Sequence, residues 1–181
     1  MNVVRDDIPH LLKWRDTIPP HEINMDSASE QALAHLIRNT RIAALGTIRD
    51  GEPNLAMVAV AFEADFSAFY IHVSQLGKHT ADMEADPHVS LLLTEADDGR
   101  ADPQTLVRVS IQGTAAMIPR NTPEYPLIKE TYLTRFSEAE QLFGLGDFNL
   151  WRISPTGGRF VAGFGRAFNL SPDALRKAYE T

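Results

Sequence analysis

The chain has 181 residues, 44% hydrophobic and 23% charged, with a net charge of −7 from 17 basic and 24 acidic side chains. That length suits one sizeable domain rather than two, and the acidic balance argues against a nucleic-acid surface, which needs a basic footprint. The absence of cysteine excludes disulfides, thiolate nucleophiles and cysteine-based metal or iron–sulfur centres, and it fits a reducing compartment.

Residues 1–26, with Pro9, Pro19 and Pro20, read as an extended N-terminal segment, and residues 27–181 as one folded domain. Trp14 is either an anchor of that segment or a surface-packed aromatic. The first 20 residues carry Arg5, Asp6, Asp7, Lys13, Arg15 and Asp16 and have no apolar signal core. No apolar run reaches the roughly 18 residues of a membrane span, so no membrane partner is expected and the expected location is cytoplasmic.

Ser27-Ala28-Ser29-Glu30 has the form of a capping box, and Ala32, Leu33, Leu36 and Ile37 follow at helical spacing, which predicts a helix over 27–39. Residues 42–48 read as a strand. Asp50-Gly51 is a hairpin signal, because the primed turn needs positive φ. The returning strand is 54–63, with Val58, Val60 and Phe62 on one face and Met57, Ala59 and Ala61 on the other. Both faces are apolar. A small barrel has one interior, so the outer face must meet a symmetric twin or the chain's own helices at 27–39 or 122–136.

Asp65-Phe66-Ser67 turns the chain into a third strand, 68–73. A short helix over 77–86 stops at Asp86-Pro87, and a fourth strand spans 89–94. A polar loop, 95–104, leads to a long strand, 106–118. There Val107, Val109 and Ile111 share one face, Arg108, Ser110 and Gln112 the other, and Gly113 marks a bulge or a close backbone approach. Thr122-Pro123 starts a helix to about 136, and a shorter one follows near 138–143. Strands over 148–153 and 159–164 are joined by a turn at Pro155-Thr156-Gly157-Gly158. Ser171-Pro172-Asp173 opens a terminal helix. Six or seven strands joined mostly by tight turns, with no repeating βα alternation, predict a mainly β fold: an antiparallel split barrel with peripheral helices.

The chemistry concentrates in Ser74-Gln75-Leu76-Gly77-Lys78-His79-Thr80, where a strand runs into a helix. Unpaired N–H groups and the positive end of the helix dipole favour an anion there, and a phosphate is the natural occupant. Otherwise Ser74 and Thr80 cap the helix, Lys78 is a solvated charge and His79 packs. Arg108 lies mid-strand between valines and needs an anionic partner. His72, His79 and His88 lack the i, i+4 spacing of a helical metal pair, and no metal site is expected.

The order of these elements resembles the flavin-binding split barrels related to pyridoxamine 5'-phosphate oxidase, and within them the haem-utilisation branch. The resemblance covers about 27–170. It rests on the helix before Arg41-Ile42-Ala43-Ala44-Leu45-Gly46-Thr47, on Ser74 to Thr80, and on Ala85-Asp86-Pro87-His88-Val89-Ser90-Leu91-Leu92-Leu93. Arg108-Val109-Ser110-Ile111-Gln112-Gly113-Thr114-Ala115 and Gly158-Arg159-Phe160-Val161-Ala162-Gly163-Phe164-Gly165-Arg166-Ala167 complete it.

The resemblance implies a homodimer holding FMN in a groove at the subunit interface. Ser74, Lys78, His79 and Thr80 would hold its phosphate, and Arg108 would project towards the flavin or its phosphate. The backbone of Met57, Val58 and Ala59 would lie along the isoalloxazine edge. Arg166 would reach the partner's flavin site or pair with an acid across the dimer. The function implied is an FMN-dependent oxidoreductase of unknown catalytic residues, with His72, His79 and Arg108 the residues nominated near the ring or phosphate. The alternatives are a haem-binding or haem-utilisation protein and a non-catalytic flavin-binding module. Two departures stand out. Residues 54–62 lack the basic residues that pyridoxamine oxidases carry there, and the last histidine is His88, where haem-utilising relatives often place a C-terminal one.

Overall fold

The hairpin at Asp50-Gly51 begins the sheet in the structure, a computed structural model that describes residues 25–180. Asp50 and Gly51 have φ of 52° and 82°, the two positive values a primed turn demands. They join β1 (Ile42–Arg49) to β2 (Glu52–Ala59). The expectation of an extended segment over 1–26, Trp14 included, falls outside the described residues except at Met25 and Asp26.

The chain continues through β3 (Ala61–Phe62), β4 (Phe69–Ser74), α2 (Lys78–Ala85), β5 (His88–Thr94), β6 (Arg108–Met117), α3 (Tyr125–Arg135), β7 (Phe148–Val161), β8 (Ala167–Leu170) and α4 (Pro172–Tyr179), with α1 (Ser27–Asn39) ahead of β1. All strand pairs are antiparallel, in the order β2-β1-β5-β6-β7-β4-β3, with β8 on the free side of β7. The two edge strands β2 and β3 are consecutive in the chain and separated only by Val60, so the sheet curls round to meet itself. This is the split β-barrel with peripheral helices that the sequence predicts, with eight strands rather than six or seven.

Several local expectations are corrected. The single strand over 54–63 is interrupted at Val60, although its N–H still bonds the Arg41 carbonyl, the next pair in the β1–β2 register. The alternation itself holds across the break. Val58, Val60 and Phe62 pack into the inner core, while Met57, Ala59 and Ala61 take the other face, where Met57 is exposed and Ala61 is buried. Pro155-Thr156-Gly157-Gly158 is not a turn, and 148–161 is one continuous strand. Its extra residue, Thr156, is the bulge opposite Gly113, since Gly113 pairs Pro155 while Gln112 pairs Gly157. A Cβ on Gly113 would lie 2.6 Å from the Ser154 carbonyl oxygen, so the expected close approach at Gly113 is real.

The helix caps also differ. Asp26, not Ser27, accepts the Ser29 N–H at 2.8 Å and caps α1. Thr122 bonds the Pro119 carbonyl, and α3 starts three residues after it at Tyr125. Ser171 caps α4 as expected, accepting from the Ala174 N–H.

Two apolar clusters result. The inner one joins α1, α2 and α4 to the inward faces of the strands through Leu33, Ile37, Leu45, Ile71, Met83, Leu91, Val109, Ile111, Phe160 and Leu175, all at most 2% exposed. The second lies on the other face of β4, where Tyr70 and Leu150 pack beneath Ile128, Tyr132 and Phe136 of the α3 region and Phe143 of the 3-10 segment Ser137–Gly144. Both faces of β4 are therefore buried, which is why its sequence reads as a continuous apolar run.

Candidate functional site on the outer face of the sheet

The outward positions of β2, β1, β5 and β6 form a face that no helix among the described residues covers. Leu55 and Met57 of β2 are 81% and 70% exposed, and Ile42 of β1 and Leu92 of β5 are 55% and 41% exposed. They border a groove of about 740 Å³ with Ala44, Ala56, Thr94 and Glu95. Exposed apolar side chains so grouped are costly in water and mark an interaction surface. Of residues 57–59, Met57 lines this groove, while Val58 is buried in the inner core and Ala59 packs against the second cluster; because β2 ends the sheet, one of its backbone edges lies outside the ladder.

The turn from β4 into α2 is built by its own hydroxyls. Ser74 Oγ donates to Asp147 at 2.6 Å and accepts from the Leu76 N–H, and Thr80 Oγ1 donates to the Ser74 carbonyl at 2.7 Å. Their protons are committed to shaping the turn. No side chain caps the start of α2. Lys78 is exposed and its ammonium makes no ion pair among the described residues.

His79 is half-buried. Its ring lies so close over Gly77 that a Cβ there would meet it at 2.7 Å, and its Nε2 is enclosed without a partner. Burial lowers its pKa, partly offset by Asp82. Ser74, Lys78, His79 and Thr80 are thus one cluster.

Sequence reasoning missed the second cation here. Arg49, at the end of β1, donates to the buried carboxylate of Asp82 and to the Lys78 carbonyl, and Thr47 donates to the same carboxylate at 2.8 Å. Arg49 and Asp82 are 33 residues apart, and only the docking of α2 on β1 brings them together. The arginine is nonetheless visible as the residue before the Asp50-Gly51 turn.

The remaining candidates lie elsewhere. Arg108 pairs in register with Thr94 and Val161, at the opposite end of the sheet from Arg49 and Lys78. Its guanidinium donates to the Gln104 and Leu106 carbonyls at 2.9 and 3.0 Å, holding the 3-10 turn Pro103–Thr105. Within one chain, then, Arg108 and Lys78 do not share a pocket. The half-buried arginine has found carbonyl partners in place of the expected anion. Arg166 pairs with Asp26 at 2.9 Å and Ser29 at 2.6 Å of its own chain, joining the β7–β8 turn to the start of α1.

His72 packs under the α3 roof. It is 7% exposed, stacked on Phe143 at 3.8 Å and 7°, and flanked by Tyr132 and Phe148. Burial, with Arg120 and Lys129 nearby, lowers its pKa to about 4. It is a neutral packing residue of the second cluster.

Comparison with known proteins agrees with this architecture. The family described as pyridoxamine 5'-phosphate oxidase matches residues 29–162. The haem oxygenase HutZ of Vibrio cholerae is 28% identical over 126 residues, 69% of this chain and 70% of HutZ. The chloroplast haem oxygenase HOZ of Arabidopsis thaliana is 30% identical over 131 residues, 72% of this chain but only 38% of HOZ. A solved structure of a haem-binding protein from Mycobacterium smegmatis superposes with a TM-score of 0.72 at 21% identity, covering 82% of this chain and 60% of that one.

Proposed function

This chain belongs to the pyridoxamine 5'-phosphate oxidase family, and from that premise we propose that it is a homodimer that binds FMN on the uncovered sheet face, as a flavin-dependent oxidoreductase of the cytoplasm. The observation that carries the reading is the cation pair at the β4–α2 turn, Lys78 with no carboxylate partner among the described residues beside a half-exposed Arg49, at one end of the sheet.

The residues fit the group. Lys78 supplies point charge to a phosphate, and the uncapped start of α2 supplies directed N–H donors. The edge strand β2 offers alternating backbone donors and acceptors at Met57, Val58 and Ala59 to the pyrimidine edge of a flavin. When bound, FMN supplies the redox chemistry, and the protein supplies orientation and electrostatics. A second chain would cover Leu55, Met57 and Leu92 and exclude water from the groove. It could also bring Arg108 of one protomer towards the turn of the other, which a single chain cannot do. The test is spectroscopic. Purified protein titrated with FMN should quench flavin fluorescence at one site per chain, and a flat titration overturns the reading.

A second reading, a haem-binding protein, is favoured by the two haem oxygenases among the relatives. It predicts a Soret band on titration with haemin.

A further inference from the structure

The turn between α2 and β5 holds one imidazole ready to act as a ligand. Asp86 Oδ1 accepts both the His88 backbone N–H at 3.0 Å and His88 Nδ1 at 2.7 Å. A carboxylate can only accept a hydrogen bond. The proton of the neutral ring therefore sits on Nδ1, and Nε2 presents a lone pair that meets no partner among the described residues. The turn is fixed at both ends. The Asp86 N–H bonds the Asp82 carbonyl at 2.8 Å, and the Pro87 carbonyl accepts from Ala115 of β6 at 2.8 Å.

His88 borders a separate cavity of about 430 Å³ on the outer face, with Gly46, Ile48, Pro53, Ser90 and Gln112. Gly46 and Ser90 occupy outward positions of β1 and β5 and pair in register, so no large side chain rises from its floor. Arg49, one residue beyond Ile48, turns to the other face and bonds Asp82. An open floor of small side chains beside one basic nitrogen suits a planar, metal-bearing ring. A bare metal ion does not fit. No group of three or more His, Cys, Asp or Glu lies together among the described residues, so one side chain suffices only if the metal arrives with its other positions filled.

We propose that His88 is the protein ligand to the iron of a tetrapyrrole bound on this face, with Asp86 as the positioning residue that fixes its tautomer and raises its basicity. The assignment rests on the haem reading above and would place the ligand on the sheet itself.

The experiment is titration of the full chain with haemin, followed by absorbance and, after reduction, by the iron–histidine stretching band in resonance Raman. Wild type should give a histidine-ligated spectrum. His88→Ala should lose it and weaken binding at least tenfold, with added imidazole restoring the spectrum. Asp86→Asn should keep binding but lower the iron–histidine frequency, a shift that a merely structural role would not produce. His35→Ala and the double variant His10→Ala/His21→Ala should match wild type. If wild type gives no Soret band, the haem reading and this assignment fall together. If wild type binds and His88→Ala is unchanged, or the ligation is lost in His10→Ala/His21→Ala instead, the assignment alone is overturned.

Discussion

The outer surface of the sheet has two halves that the chain treats differently. Over β3 and β4 it is roofed by α3 and the 3-10 segment, and the side chains beneath, Ala61, Tyr70 and Leu150, are at most 2% exposed. Over β2, β1 and β5 it is bare among the described residues, and Met57 and Leu55 stand more than two-thirds exposed. One sheet with comparable apolar outward positions is covered intramolecularly in one half and left open in the other. The roofed half answers to stability, and the open half is available for association and ligands. The candidate helix covers named from sequence divide accordingly: α3 roofs one half, while α1 turns its apolar face into the inner core.

The largest expected effect tests the roof. Tyr132 is 3% exposed, touches the rings of His72, Phe136 and Phe143, and bonds the His72 backbone, and burial raises its pKa to about 12. Tyr132→Ala should cost about 3–5 kcal/mol in denaturant unfolding, as for other buried aromatic truncations. A loss near 1 kcal/mol would mean that the roof contributes little.

The next effect is a pH dependence in the same roofed half. His72 has a folded pKa of about 4 against an ordinary 6.5. The native state keeps the ring neutral while the unfolded chain takes up a proton, so the contribution is complete above pH 6.5. It declines as pH falls and is gone below about 4, a change of about 3 kcal/mol at 1.36 kcal/mol per pKa unit. His72→Phe preserves the stack on Phe143 and should flatten the unfolding free energy across that window. An unchanged slope in the variant would place the titration elsewhere.

The open half should respond in association rather than in folding. Met57→Asp puts a charge on the bare face, at its exposed edge strand. It should raise the dissociation constant of the proposed dimer about a hundredfold, a hot-spot-sized change of about 2.7 kcal/mol. Light scattering after size exclusion reads the mass, and the melting temperature of the monomer serves as the control. A variant that stays dimeric at the wild-type midpoint would move the interface off this face.

The contrast between the halves also marks what the sequence reveals. Signals carried by adjacent residues were legible: the positive φ of Asp50-Gly51, the bulge glycine at Gly113, Ser171-Pro172 ahead of α4, and the alternation of Val109 and Ile111 against Arg108 and Ser110. Misreadings arose where a local pattern competes with a distant partner. Pro155 to Gly158 has turn composition, yet its glycines serve close packing, since a Cβ on Gly158 would lie 2.4 Å from the Ser110 carbonyl oxygen. The apolar alternation around Val60 and Ala61 could not show where the strand breaks. In the site, Ser74 to Thr80 could be seen as a cluster, but Asp147 on Ser74, Asp82 on Arg49 and Asp26 on Arg166 are contacts across 73, 33 and 140 residues. No spacing rule reports these.

The smallest effect asks whether the cation at the end of the open half serves a ligand. Lys78 is exposed and makes no ion pair among the described residues, so its replacement removes no side-chain contact there. Lys78→Gln should therefore leave the melting temperature of the free protein within the range of neutral surface substitutions, about 0.5 kcal/mol. It should weaken FMN binding about tenfold, or about 1.4 kcal/mol, the scale of one charge-assisted phosphate contact. The loss should shrink as salt rises, because the contact is exposed and screened. Riboflavin, which has the ring without the phosphate, should bind both forms alike. Equal losses for riboflavin and FMN would mean that Lys78 acts on the fold of the turn, and the β4–α2 junction would then be no anion site.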